Sequence, residues 1–206
     1  MMGELERSER ALREFLAAAE EAGAGQYVIS ALRFLAAGLL YQRRPDEAAM
    51  ALDRALDLSE TTGERWNRSE LLGFRSRASV MLGDVDAAEV FINRALSSLR
   101  DEDISAVAEI YDHLGAVRAA QGRKVEAEEA LRRSLAVLST TGFNFLRTQV
   151  SLTLAKLLAD RGALHEAATF LAQGERWLGE QKTGFWADEV NLVRASIGAR
   201  GAASDR

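Results

Sequence analysis

Cysteine is absent from all 206 residues. No disulfide framework, thiolate nucleophile or Cys-ligated metal is open to such a chain, which fits a reducing compartment and sets the expectation of a cytoplasmic protein. Histidine is nearly absent, with only His113 and His165. The two lie far apart in sequence and supply no nucleophile–base–orienter set, and no GxSxG accompanies them. His165-Glu166 does not open an HExxH zinc motif, because Thr169 holds the place of the second histidine. His113 falls in a usually apolar slot and is expected to pack, while His165, in the opening turn of a helix, is expected in solvent. Neither Asp84/Asp86 nor Asp101/Glu102/Asp103 has the Gly and Glu spacing of a calcium loop. Gly122-Arg123-Lys124 lacks the upstream Gly of a P-loop. No metal, cofactor or catalytic centre is expected, and the chain is read as a non-enzyme.

Long apolar runs are missing too. None approaches the roughly 18 residues of a membrane span, and the most apolar piece, Tyr27 to Tyr41, is interrupted by Arg33. The opening MMGELERSERALREF has no apolar core of a signal peptide. With 31 acidic against 26 basic residues the net charge is −5. That balance excludes the concentrated basic surface needed for nucleic acid or anionic lipid. There is one proline, and the 16 glycines fall mostly between periodic segments. Helices joined by short turns are the expectation.

What the chain does contain is an internal repeat. It is clearest from Tyr111 to Leu138, where two amphipathic segments flank a Gln121-Gly122 break. Small residues recur at Ala11, Ala48, Ala88, Ala127 and Ala167, at intervals of 37, 40, 39 and 40. Four residues on stands a large one: Phe15, Leu52, Ile92, Leu131, Leu171. Three further on is a small one again: Ala18, Ala55, Ala95, Ser134, Gly174. Positions i, i+4 and i+7 share one helix face. A small–large–small face lets a second helix approach closely around one bulky side chain.

The preceding helix of each pair repeats as well, with a small residue at Ala36, Ser76, Gly115, Ala155 and Ala195. Four earlier stand Leu32, Leu72, Tyr111, Ser151 and Asn191, so the pattern turns polar toward the C-terminus. Gly83, Gly122 and Gly162 each precede the aligned Ala by five and suit left-handed helix ends. Arg43 occupies that slot in the first repeat. Pro45 fits the first position of a helix, Asp84 an N-cap, and Asp46 and Asp86 the first turn. Thr61-Thr62-Gly63, Arg100 to Asp103, Thr140-Thr141-Gly142 and Lys182-Thr183-Gly184 separate the repeats. The spacing predicts ten helices, about 4–22, 26–43, 46–61, 65–82, 85–99, 104–121, 124–140, 144–161, 164–181 and 186–199. They form a single array over residues 1–200, with a flexible tail over 201–206.

A helical hairpin with this second-helix pattern resembles the tetratricopeptide repeat (TPR) family, most clearly in Leu114-Gly115, Gly122, Ala127 and Leu131. That family's unit is about 34 residues; the unit here is the longer, near-40-residue type. The run Gly63-Glu64-Arg65-Trp66, Glu70-Leu71, Arg75, Gly83-Asp84 and Ala95-Leu96 is similar to the helical tails of bacterial nucleotidyl cyclases and LuxR-type regulators. The resemblance implies an all-α, right-handed α-solenoid of antiparallel helix pairs, whose first helices line a concave groove. It implies a module that binds a peptide or helix of another protein, or a sensory and regulatory segment of a bacterial signalling system that binds a small effector or peptide.

On that frame the groove positions are Ser30, Arg33 and Ala37; Glu70, Gly73 and Arg77; Glu109, Asp112 and Ala116; Gln149, Leu152 and Lys156; Glu189, Leu192 and Ser196. The partner-reading set is Arg33, Glu70, Arg77, Glu109, Asp112, Gln149, Lys156 and Glu189. No Asn stands where family members that clamp a terminal carboxylate have one. Trp66, Phe145 and Phe185, ten before the aligned small residues, are each expected to wedge a first helix against the preceding second helix. The last helix begins a repeat with no second helix behind it. Its Trp186, Val190 and Val193 side is therefore a candidate homodimer contact, and an exposed Trp177 or Trp186 would mark a docking surface.

Overall fold

The computed structural model describes residues 2–100, 102–139, 141–181 and 186–204, and every regular element among them is an α-helix. In chain order these are α1 (Met2–Glu21), α2 (Gly25–Tyr41), α3 (Pro45–Thr62), α4 (Arg68–Leu82), α5 (Val85–Ser98), α6 (Ile104–Ala120), α7 (Lys124–Leu138), α8 (Asn144–Asp160), α9 (Leu164–Gln181) and α10 (Ala187–Ser204). The chain is an all-α helical-repeat fold. The turn Lys182-Thr183-Gly184, Phe185, Asp101, Thr140 and tail residues 205–206 lie outside the described residues.

Local chemistry sets most helix ends where the spacing predicts. Gly83, Gly122 and Gly162 take φ of 82°, 74° and 83°, and Arg43 takes φ of 60° in the same slot. Pro45 opens α3, and the Asp84 carboxylate accepts the Ala87 N–H at 3.0 Å. Two ends differ from expectation by more than two residues. α10 runs to Ser204 rather than 199, and α4 starts at Arg68 rather than 65. Ahead of α4, the Trp66 N–H is held by the Glu64 carboxylate at 2.8 Å, and the Glu64 carbonyl accepts from the Ser59 hydroxyl. These bonds keep residues 64–67 in a turn. Trp66 is consequently 72% exposed and wedges nothing.

The chain divides into two compact units, Met1–Ala106 and Val107–Arg206. In the first, α2 pairs with α3 and α4 with α5; α1 lies on α2, α3 on α4, and α2 touches α4. Leu32, Leu35, Leu39, Leu52, Leu71, Leu72 and Ile92 fill its interior. In the second, α7 packs on α8, α8 on α9, and α10 on both α8 and α9. Leu131, Leu138, Val150, Leu154, Leu158 and Ala167 form its core, with Ile197 of α10 against them.

The small–large–small face does what its pattern implies in the interior hairpins. A Cβ on Gly115 of α6 would stand 2.7 Å from Leu131 Cγ of α7. Only glycine admits that approach, and Leu131 fills the space. The third position turns the same way. The Ser134 hydroxyl donates to the Ala108 carbonyl of α6 at 2.8 Å, and a Cβ on Gly174 of α9 would meet Leu152 of α8 at 3.2 Å. In these two hairpins the second helix therefore turns this face to the first helix of its own pair.

The two end helices depart from the pattern. In α1 the aligned Ala11, Phe15 and Ala18 are exposed, and Leu12, Leu16 and Ala19 are the covered residues. Among the described residues no first helix stands against the aligned face. In α10 the aligned Asn191 and Ala195 are exposed, whereas Trp186, Val190 and Val193 are buried. The Trp186 ring sits 5.3 Å from that of Phe145. The expected homodimer contact on the Trp186–Val190–Val193 side is thus spent within the chain, because α8 and α9 take that side of α10. Trp177 is partly covered, with the Arg147 guanidinium 5.1 Å from its ring centre.

Ion pairs between second helices share a spacing. Glu20 binds Arg54 and Arg132 binds Glu166, both 34 residues apart, and Glu60–Arg94 at 3.6 Å has the same offset. Such exposed pairs contribute at most about 1 kcal/mol each.

Candidate functional site

The first helices carry the candidate partner-reading residues, and burial sorts them. In the first unit these stand on α2 and α4. Arg33 is half-buried, with its guanidinium carbon 4.2 Å from the Phe34 ring centre. Asn67, at the head of α4, donates to the Ser30 hydroxyl of α2 at 3.4 Å. That bond ties the two first helices together at an offset of 37 residues. Glu70 is only 7% exposed and accepts from the Ser69 hydroxyl at 2.9 Å. One turn on, the Ser76 hydroxyl donates to the Gly73 carbonyl at 2.7 Å, so this buried hydroxyl is satisfied within α4.

Arg77 completes the i, i+3, i+7 set on α4. It is partly buried, and its Nη1 is fully buried with no acceptor among the described residues. A guanidinium nitrogen in that state has lost water without gaining a partner, a cost of about 1–3 kcal/mol. It is the clearest unmet electrostatic demand on the first-helix side of this unit.

In the second unit the same offset recurs. The Gln149 amide of α8 donates to Asp112 Oδ2 of α6 at 2.6 Å across 37 residues. Asp112 is fully buried, and Leu152 is buried beside α9. Glu109, Gln149 and Glu189 are partly exposed, Lys156 is exposed, and Leu192 is 65% exposed. His113 is buried and His165 exposed, as their slots imply. The candidate residues therefore split. Glu70 and Asp112 are buried, Asp112 in a bond to the next first helix, while Arg33, Arg77, Glu109, Gln149, Lys156 and Glu189 reach solvent to different degrees. The spacing that marks a groove position also marks the side turned toward the next first helix. Sequence periodicity does not separate the two.

Two features were not singled out in the sequence. Asn67 is a buried polar link between first helices; its only sequence signal is the recurrence, at the same offset, of a side chain able to hydrogen-bond. The other is an anchor on α1. Glu9 accepts from Arg13, Gln42 and Arg44, the last at 2.7 Å, and Arg44 also holds Glu47 at 2.6 Å. Burial pushes the Glu9 carboxyl up, but the hydrogen bonds from Arg13, Gln42 and Arg44 outweigh it and leave it below the usual range. Glu47 is lowered chiefly by its bond from Arg44, and Arg44 is raised by Glu47 and Glu9. No group of three or more His, Asp or Glu that could hold a metal occurs among the described residues, and none of their helices is long and apolar enough to cross a membrane.

No family model and no curated protein matches the sequence. Solved structures do. A Rap protein complexed with competence and sporulation factor superposes with a TM-score of 0.70 at 14% identity, over 97% of this chain. The chain spans 63% of that protein's length. A putative kinesin light chain of Podosopora anserina with nearly identical TPR-like repeats superposes with a TM-score of 0.56 at 19% identity, covering 86% of this chain and 97% of that one. A point-substituted form of that kinesin light chain gives 0.56 at 18% identity, covering 86% of this chain and 96% of that one. The structural neighbours are TPR-like repeat proteins, and the likeness extends to the fold.

Proposed function

We propose that the chain is a non-enzymatic interaction module that takes an acidic peptide or helix along its first-helix side, with Arg77 as the principal contact. The observation that carries this is the buried Arg77 Nη1 with no acceptor among the described residues. A ligand carboxylate would supply the acceptor once the partly exposed Arg77 side chain turned its guanidinium outward, where the two groups meet through two parallel N–H···O bonds.

Selection from a displayed random-peptide library tests it. Acidic sequences are expected to be enriched, to lose affinity as salt rises, and to bind Arg77→Glu at least about tenfold more weakly, the 1.4 kcal/mol of one charge-assisted bond. Acidic peptides that bind Arg77→Glu as well as the parent would end the reading.

A second reading is a sensory or regulatory segment of a bacterial signalling system in the cytoplasm. It is supported by the superposition over nearly the whole chain with a Rap protein solved with a bound factor. A short peptide would then raise the melting temperature with no second protein present, as ligand linkage requires. Single-array organisation over residues 1–200 belongs to the same proposal.

A further inference from the structure

The aligned faces left uncovered at the two ends of the chain match each other. Phe15 of α1 stands in the slot of Leu52, Ile92, Leu131 and Leu171, all buried, yet it is 45% exposed. Phe34 of α2 shares its slot with the buried Phe74 and Val193, and Tyr27 with the buried Asn67 and Trp186; both are about half exposed. The Phe15 and Tyr27 rings meet edge to face at 6.3 Å, so these aromatics form one patch. Tyr27 and Phe34 are seven apart and lie on one stripe of α2.

At the other end, Leu192 of α10 stands in the slot of Leu152, which is buried, and of Asp112, which accepts from Gln149 on the following first helix. Ala195 stands in the slot of Gly115, which receives Leu131 of its second helix. Both Leu192 and Ala195 are exposed. Thus α1 is a second helix with no first helix on its aligned face, and α10 is a first helix with no second helix on its own, among the described residues.

We infer that copies of this chain associate head to tail, α10 of one copy completing a hairpin with α1 of the next. The interior hairpins set the register. Ala195 takes the place of Gly115 against Phe15, and Leu192 falls between Tyr27 and Phe34 of the second copy, as Asp112 falls against Gln149. The surfaces are different on the two copies, so the contact is heterologous and each added chain leaves a new free end. A polar face would prevent this; Phe15, Tyr27 and Phe34 are exposed here instead. One helix seated on two belongs to the small class of interface, below about 1,200 Å² in total, so association is weak.

Sedimentation of the full chain at rising concentration is expected to show a weight-average mass that climbs past the dimer. Phe15→Glu and Leu192→Arg, both at exposed positions, should each abolish the climb while keeping the parental melting temperature. Mixed in equal amounts, the two variants should form one heterodimer and nothing larger, because each retains the end the other lacks. A parent that stays monomeric at its solubility limit overturns the inference, as does a dimer indifferent to both substitutions, or a mixture that remains monomeric. The lack of cysteine allows an independent measurement. Donor dye at Ala18→Cys and acceptor at Ala199→Cys on separate copies should show energy transfer that rises with concentration, and no transfer would overturn the inference even if a charged variant misfolded.

Discussion

Helix α7 and helix α1 carry the same side-chain pattern to opposite outcomes. In α7, Ala127, Leu131 and Ser134 are buried, each turned toward α6. In α1, Ala11, Phe15 and Ala18 have the same spacing and stand in solvent, while Leu12, Leu16 and Ala19 are covered. The intrinsic helix chemistry is alike. What differs is whether a neighbouring helix brings a small residue opposite the large one. A small–large–small stripe therefore states which surface a helix offers, and the neighbour decides whether that surface becomes core.

The comparison is most easily broken at the large residue. Leu131→Ala should cost about 2–5 kcal/mol in urea unfolding, through lost transfer energy and the cavity left beneath Gly115. Phe15→Ala should change stability by less than about 0.5 kcal/mol, as surface substitutions do. Equal losses would erase the distinction drawn between the two helices. Gly115→Ala should cost about 1–3 kcal/mol by overpacking, since its new Cβ would lie 2.7 Å from Leu131 Cγ. Combined with Leu131→Ala, the loss measured in thermal melts should fall short of the sum, because the two sites share one space. Full additivity would mean that they do not meet.

Smaller effects sharpen the same contrast. Ser134→Ala should cost about 1 kcal/mol for its bond to the Ala108 carbonyl, whereas Ala18→Ser at the matching position of α1 should be neutral. Arg43→Gly should stabilise by up to about 1 kcal/mol, because a non-glycine residue at φ of 60° is held in a left-handed conformation that glycine adopts freely. A destabilised Arg43→Gly would show that the Arg43 side chain compensates for its backbone.

The smallest effect concerns the anchor of α1. Glu9 and Glu47 titrate below their ordinary value of 4.5 in the folded chain. Their contribution is whole above that value and is lost as pH falls through the lowered ones. Arg44→Ala should therefore be less stable than the parent at neutral pH and converge with it in acid. A gap that persists undiminished in acid would show that Arg44 acts through packing alone.

Much of this architecture was legible in the sequence. The ten helices, the left-handed Gly83, Gly122 and Gly162, Pro45 at a helix start and the Asp84 cap all follow from local chemistry that needs no distant partner. The start of α4 was not legible, since hydrogen bonds made by Ser59, Glu64 and Asn67 hold Trp66 in a turn that helix propensity alone would have extended. The candidate site was half legible. Periodicity placed Arg77 and Lys156 on the first-helix side, but it assigned Glu70 and Asp112 to the same side without showing that neighbours cover them.

By itself the sequence determined the helices, their pairing and the face each second helix offers, because these rest on i, i+3 and i+4 geometry and on backbone preferences within a few residues. Tertiary structure alone decided which equivalent positions are core and which are surface. Phe15 and Leu131, or Leu192 and Leu152, occupy the same slot in the repeat, and burial is a property of what lies across from a side chain rather than of the helix that carries it.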